Sequence, residues 1–443
     1  MRQAYINPFV TIQKHGSETL FALTTDPDKI IRIYEPAHPL YGISRKHEIC
    51  RKLPLLPEKE FHFLLNRNII SFTPYDRNTM LDEIYQQKDA ETHYSIILFP
   101  TLNCNNACVY CYQEHQNQAR MNASDYEAVY NFILNRISQG LTHISVGLMG
   151  GEPTLENSLV LPFMKRCRNI CADSDVAFNG SMTTNGRIMH PEEYISSGIT
   201  SFQITLDGPP ELHDRLRPGI RREKTFESIL VGLILLRNKG GNDLHCSVRI
   251  NHTKESITDS NFHAYLSILS EYFSGDHRFE IFHRIASDLG GNIDTSVLIP
   301  ENERQAVLEN ANNRTLSYGL FPKSDGYLPN SRVCYAAQGN AISILPGGRL
   351  CKCTVAIDEE CNYVGMLSAQ GIPEFNPNIA LWISGDVRGR NCNSCEVAPV
   401  CQSRSCPLER IRKGKNPCPD IKYDKSFLSR KLSNRHQQHV SEI

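Results

Sequence analysis

The sequence predicts an α/β protein built on a parallel βα array. A small α+β module precedes the array and a cysteine-rich iron–sulfur domain follows it. Three observations carry this. Six strand-like runs (95–99, 143–148, 176–183, 201–206, 245–250 and 278–283) alternate with helical patterns, the signature of parallel βα units. Three cysteines, Cys104, Cys108 and Cys111, follow the first of these strands in C-x3-C-x2-C spacing. Nine of the 16 cysteines fall within residues 331–420, a density that points to bound metal.

Composition bounds the rest. The chain has 443 residues, 40% hydrophobic and 21% charged, as expected of a soluble globular protein of two or three domains. Its formal net charge is −1, which gives no bulk electrostatic reason to expect a nucleic-acid or anionic-membrane partner. The opening MRQAYINPFVTIQKHG has no continuous apolar core, so it does not read as a signal peptide. No apolar run approaches a membrane span. Cysteine richness without an export signal argues for metal or redox work in a reducing cytoplasm rather than for disulfides.

Residues 1–90 read as the small module. Tyr5–Ile12 and Leu20–Leu23 look like strands, Lys52–Asn66 contains a helix or helix pair, Ile69–Phe72 suits a strand and Asp76–Tyr85 a helix. The mixture suggests a helix–turn–helix-like fold with a strand wing, serving as a cap or as a peptide-docking surface. Residues 91–300 form the βα array. Its clearest helix is Ser124–Gln139, with Tyr126, Val129, Tyr130, Ile133 and Ile137 on one face, Ser124 and Glu127 as a capping box and Gly140 as the stop. Phe226–Arg237 is a second. Residues 301–330, rich in Asn, Gly, Pro and Ser with one helix near 302–311, read as a linker. Residues 331–420 are the metal-bound block, and 421–443 a basic, frayed helical tail.

The loop Pro100–Tyr112 (PTLNCNNACVYCY) is where chemistry is expected. Three thiolates can hold three corners of a [4Fe–4S] cubane, and no fourth cysteine is close in sequence. One iron is then open, as catalytic metal sites require. In βα arrays sites collect at the C-terminal ends of the strands, where this loop lies. The competing readings of the three cysteines alone are a partial zinc site and a chance grouping.

With aromatic Tyr110 just before the last cysteine, this loop resembles that of the radical S-adenosylmethionine (radical SAM) superfamily. The resemblance implies a partial (βα)6 TIM-like barrel. It also implies a cluster whose open iron is chelated by the methionine amino and carboxylate groups, and a 5′-deoxyadenosyl radical that abstracts substrate hydrogen. Gly150-Gly151-Glu152 after the second strand is similar to the family's GGE motif, implied to bind the methionine amino group. Thr183-Thr184-Asn185-Gly186 is similar to its TNG segment, making Asn185 a candidate for the pocket lining. Thr205-Leu206-Asp207-Gly208-Pro209-Pro210, with His213-Asp214 and Arg217, resembles a run in peptide and protein maturases. There Thr205 would donate to a ribose oxygen, and Arg217 would fork onto the methionine carboxylate. Ser247–Asn251 (SVRIN) also looks like this subgroup.

The C-terminal cysteines resemble a SPASM domain, which implies two auxiliary [4Fe–4S] clusters. Carried over, Cys334, Cys353 and Cys406 would hold the first, and Cys392, Cys395, Cys401 and Cys418 the second. The usual second ligand after Cys334 is missing, so either Cys351 substitutes or that cluster keeps an open iron. Cys361 reads as spare, and Cys50, Cys167, Cys171 and Cys246 as core or surface thiols. The subgroup implies a precursor-peptide substrate and an electron donor such as flavodoxin or ferredoxin. Oxidation or crosslinking (thioether or C–C) of a ribosomally made peptide is the preferred chemistry. Formylglycine formation is less favoured, because the maturases that perform it carry an aspartate where this chain has Thr354, and threonine is no general base. A non-catalytic iron–sulfur sensor or scaffold is the reading from another class. No residue is singled out as the catalytic base.

Overall fold

The computed structural model describes residues 4–41 apart from 24, 25, 35 and 39, then 57–86, 92–113, 119–289, 294–323, 334–383, and 392, 395, 398–401, 406–414, 418, 441 and 442. The chain divides into two compact units: Met1–Ala90 with Ser324–Gly339 and Leu381–Ile443, and Glu91–Lys323 with Asn340–Ala380.

In the first unit, β1 (Tyr5–Ile6) pairs antiparallel with β5 (Ile70–Ser71), while β2 (Val10–His15), β3 (Glu18–Leu23) and β4 (Asp26–Ile33) form an antiparallel meander. Phe21 and Ile31 of the meander pack with Phe61 and Leu64 of the helix Glu58–Asn66 in one buried cluster. That helix starts after Pro57, a residue that suits a helix start; residues 52–56 of the expected helix or helix pair lie outside the described residues. β4 escaped the sequence reading, since its polar opening DPDK hides the apolar IIRI. The expected helical tail is replaced at its end by a two-residue strand, Ser441–Glu442, parallel to β4. Residues 421–440, and Cys50, lie outside the described residues.

The second unit is an α/β fold around an 11-stranded sheet. Its centre is six parallel strands lying side by side in chain order: β6 (His93–Leu98), β7 (His143–Leu148), β8 (Ala177–Thr184), β9 (Ile199–Thr205), β10 (His245–His252) and β11 (Phe279–Ile285). The predicted alternation thus gives the predicted array. The helix Ala123–Ser138 starts one residue earlier than expected. Asn122 is its cap, accepting from Ser124 N–H and Asp125 N–H while Asp125 returns the bond. The capping box is therefore Asn122–Asp125, and Ser124 lies inside the first turn. Cys167, Cys171 and Cys246 are fully buried core thiols, as expected.

Two expectations change here. Residues 301–323 do not form a linker: Arg304–Ser317 is a helix and β12 (Phe321–Pro322) extends the sheet beyond β11. Nor do residues 331–420 stand apart. The fully buried AISIL segment, β13 (Ala341–Leu345), pairs parallel with β6. The antiparallel strands β14 (Arg349–Cys351), β15 (Tyr363–Leu367) and β16 (Pro373–Phe375) continue from it. Five consecutive buried residues suit a central strand with both faces covered.

Candidate functional site

The three-cysteine loop leaves the C-terminal end of β6 and is held by backbone bonds to the segment after β9. Ala107 N–H donates to Pro218 C=O at 2.8 Å, and Val109 N–H to Leu216 C=O at 3.0 Å. Asn106 N–H donates to Cys104 Sγ at 3.4 Å. Cys104, Cys108 and Cys111 are half-buried. Burial pushes all three thiols up, Cys104 to about 12 with the Glu152 charge adding to it, while Arg217 pulls Cys108 and Cys111 back. The cysteines thus sit where bare thiolates are disfavoured and a cation or metal group would stabilise them.

The Gly150–Glu152 segment lies against this loop. Gly151 N–H donates to Thr101 C=O at 3.0 Å and Glu152 N–H to Asn103 C=O at 2.7 Å. A Cβ on Gly151 would stand 2.0 Å from Asn103 O, so only glycine permits the approach. The close approach is made to the backbone of the cysteine loop. Glu152 is fully buried. Its Oε1 accepts from Thr154 N–H (3.1 Å), Thr154 Oγ1 (2.7 Å) and Thr184 Oγ1 (2.6 Å), and its Oε2 from Asn185 N–H (2.7 Å). A carboxylate has about four acceptor positions, two on each oxygen: three donors crowd Oε1, while Oε2 takes one and keeps a second position for a further donor. Glu152 ties the ends of β7 and β8 together, and its Oε2 can still accept from a ligand such as the expected amino group. Asn185 is carried toward the loop, its Nδ2 donating to Asn105 Oδ1 at 2.6 Å and lying 3.9 Å from Cys104 Sγ.

Tyr110 is the hub. Its hydroxyl donates to Asp207 Oδ2, accepts from Arg217 Nη1 at 2.9 Å and lies 3.3 Å from Asn251 Nδ2. Asn251 N–H also donates to Asp207 Oδ1 at 2.6 Å. The His213-Asp214 pair positions Arg217. Asp207 N–H donates to His213 Nδ1 (2.9 Å), so Nε2 carries the proton and meets Thr225 Oγ1 (3.1 Å), which donates to Arg217 C=O (2.8 Å). Asp214 accepts Thr225 N–H and Phe226 N–H, capping the next helix. Burial, then the Arg217 charge, drives His213 well below its usual range, so the imidazole is neutral. Arg217 Nε is buried and has no hydrogen-bond partner among the described residues. A guanidinium nitrogen so placed fits an anionic ligand arriving beside the cysteines. Thr205 is buried at the end of β9, in register with Arg249 of β10. Asp207 and His213 stand in the quoted motif without a role of their own, and Thr225 lies beyond it; only their contacts reveal their work.

The remaining cysteines divide. Cys351 lies fully buried in an apolar cluster with Phe99, Leu102, Leu345 and Ile357, its thiol pushed up to about 11 by burial. It packs as a core thiol in this structure. Cys353 follows two residues later, its N–H donating to Asn362 Oδ1 at 2.8 Å. Cys334, Cys392, Cys395, Cys401 and Cys406 are half-buried and Cys418 exposed, all in the other unit. There Cys395 N–H donates to Cys392 C=O at 3.1 Å, and Arg77 donates to Cys395 C=O. Cys361 Sγ lies 3.7 Å from the Glu359 carboxylate.

Three cysteines on a turn, an arginine whose buried Nε has no partner among the described residues and several strand-end loops thus converge at one end of the array. Residues 98–262 match the model of the radical SAM superfamily. An uncharacterized protein of Methanocaldococcus jannaschii is 26% identical over 145 residues, 32% of this chain and 48% of that protein. The chain thus spans about half the length of the curated relative it matches. Among solved structures, native anSMEcpe with bound AdoMet and Cp18Cys peptide is similar at a TM-score of 0.56 and 16% identity, over 77% of this chain and 97% of that one. Streptococcus suis SuiB bound to precursor peptide SuiA is similar at 0.52 and 12%, over 93% and 98%. These likenesses show the fold. Among the described residues no helix is long and apolar enough to cross a membrane.

Proposed function

We propose that the chain is a radical SAM peptide maturase that oxidises or crosslinks, by a thioether or C–C bond, residues of a ribosomally made peptide. The observation that carries the reading is the buried network joining Tyr110, Asp207, Asn251 and Arg217 around the three cysteines, with Arg217 Nε left for an anion. Cys104, Cys108 and Cys111 would hold the cluster, and Arg217 would take the methionine carboxylate, with Thr205 and Asn185 lining the pocket. Bound together, cluster and SAM supply a 5′-deoxyadenosyl radical for hydrogen abstraction. The chain's own part is to orient and to exclude water: Asp207 and Tyr110 fix the guanidinium, and Glu152 fixes the loop ends. The peptide substrate is supported by the fold shared with two proteins solved with peptides bound. Thr354 in place of an aspartate speaks against formylglycine formation.

In this reading the C-terminal cysteines hold two auxiliary clusters, Cys392, Cys395, Cys401 and Cys418 one of them. Residues 1–90 dock the peptide, and a flavodoxin or ferredoxin supplies electrons. The test is anaerobic reconstitution of the wild type and a Cys104/Cys108/Cys111→Ala variant. About twelve irons per chain, falling by about four with loss of 5′-deoxyadenosine in the variant, are expected. About four irons with bound zinc would overturn the auxiliary clusters. Absence of SAM cleavage in the wild type would overturn the enzyme.

A further inference from the structure

The site-facing sides of β10 and β11 carry a cationic row. In β10, His252 turns to the helix side, against Phe262, while Asn251 meets Tyr110 and Asp207. Arg249, two residues before Asn251, therefore shares the site's face, and its Nε donates to Asn251 Oδ1 at 2.9 Å. Its two Nη groups have no hydrogen-bond partner among the described residues. In β11, His283 also turns to Phe262, so Phe282 and Arg284 face the site, in register with Arg249 and Asn251. Two cations flank the Phe282 ring: Arg284 at 5.6 Å from its centroid and Lys323 Nζ at 5.1 Å. The nearby carboxylates are already engaged, Asp207 by Tyr110 and Asn251, and Glu280 by His245 at 3.0 Å.

We propose that Arg249 and Arg284, with Lys323 beside them, bind a carboxylate of the substrate, either an Asp or Glu side chain or a peptide C-terminus. Arg249 and Arg284 stand on a diagonal, opposite Phe282 and Asn251 respectively, where like charges still repel, and a guanidinium with free forks pairs best with a carboxylate. Burial, and next the Arg284 charge, hold the Arg249 guanidinium down to about 10, a cost that a bound anion offsets. The inference rests on the reading of this site as the place where a peptide is modified, and it gives that substrate a required acidic group.

The test uses the reconstituted full chain with SAM and no reductant, presented with randomised N-acetylated heptapeptides as C-terminal amides or free acids. Enrichment of Asp and Glu over Asn and Gln at one position, by about tenfold or more, assigns a side chain; preference for free acids over amides assigns a C-terminus. Either supports the proposal if Arg249→Gln/Arg284→Gln abolishes it and Arg249→Lys retains part of it. Iron content and thermal melting report whether the variants fold, and Arg284→Gln alone, at an exposed side chain, serves if the double variant does not. Absence of acidic preference in the wild type, or its persistence in a folded double variant, overturns the proposal. Wild-type protein that cleaves SAM on reduction but shows no such preference overturns this inference alone; protein that cleaves no SAM removes the reading beneath it as well.

Discussion

Glu152→Gln separates a strut from a ligand. The carboxylate takes three donors on Oε1 and one, Asn185 N–H, on Oε2. In glutamine the oxygen belongs on the Oε1 side, where two of the donors are hydroxyls. The new NH2 then faces Asn185 N–H, a donor against a donor that cannot rotate away. One charge-assisted bond is lost and a buried N–H is orphaned, costing about 1.5–3 kcal/mol. At ~2–4 °C per kcal/mol for a unit of this size, the cluster-free protein should melt about 5 °C lower. Glu152→Ala leaves four donors facing a cavity and should cost more. Differential scanning calorimetry without SAM reads the shift, and titration with SAM reads affinity. A Glu152→Gln protein that melts with the wild type but loses SAM affinity would refute the strut and leave only the amino-group role.

Four further outcomes are expected. Arg217→Lys removes the fork held by Tyr110, so SAM affinity measured by calorimetry should fall about 10–100-fold while iron content holds. Gly151→Ala drives a methyl into Asn103 O, 2.0 Å from its ideal position; the backbone must move, and iron bound per chain should drop with the loop. His213→Ala cuts the link from Asp207 to Thr225 and Arg217, so SAM KM should rise more than kcat falls, with His213→Gln recovering part of the loss. His252 is held near 3 by burial, and burial with the His252 charge drives its neighbour His283, 3.0 Å away, well below the usual range. Both are neutral when folded and titrate near 6.5 when unfolded. Their stabilisation is present above that value and is lost as pH falls below it, by about 1.4 kcal/mol per pH unit for each histidine. Urea midpoints of the cluster-free chain that do not change between about pH 7 and about pH 5.5 would contradict this.

The six-strand array and the cysteine loop were legible because each is a local pattern. Alternation of period two and of 3.6, with glycines as stops, specifies βα units without knowledge of any partner. What stayed hidden is long-range. β13 reads as one more apolar run, and nothing in AISIL says that it will pair with β6 across more than two hundred residues of chain. Its pairing is also what separates Cys351 from Cys353. Cys351 stands on a strand, in register with Ser343 and inside an apolar cluster, whereas Cys353 lies beyond the strand end in a turn held by Asn362.

The site shows the same division. A motif names residues adjacent in the chain, but a parallel array brings its strand ends together by register. Tyr110 meets Asp207 and Asn251 because β9 and β10 neighbour one another and rise to the same level beside the loop after β6. Glu152 is legible only in part for the same reason: the segment predicts a carboxylate near the cysteines, while the donors that hold it come from Thr154 and from the end of β8. Arg249 carries no signal in SVRIN beyond being charged inside a strand. That is itself the clue, because a charged residue in a strand buried on both faces costs free energy unless something answers it. Among the described residues only its Nε is answered by a hydrogen bond, from Asn251 two residues on, and the register that sets Arg284 diagonally across from it makes the remaining demand one for a carboxylate from outside the chain.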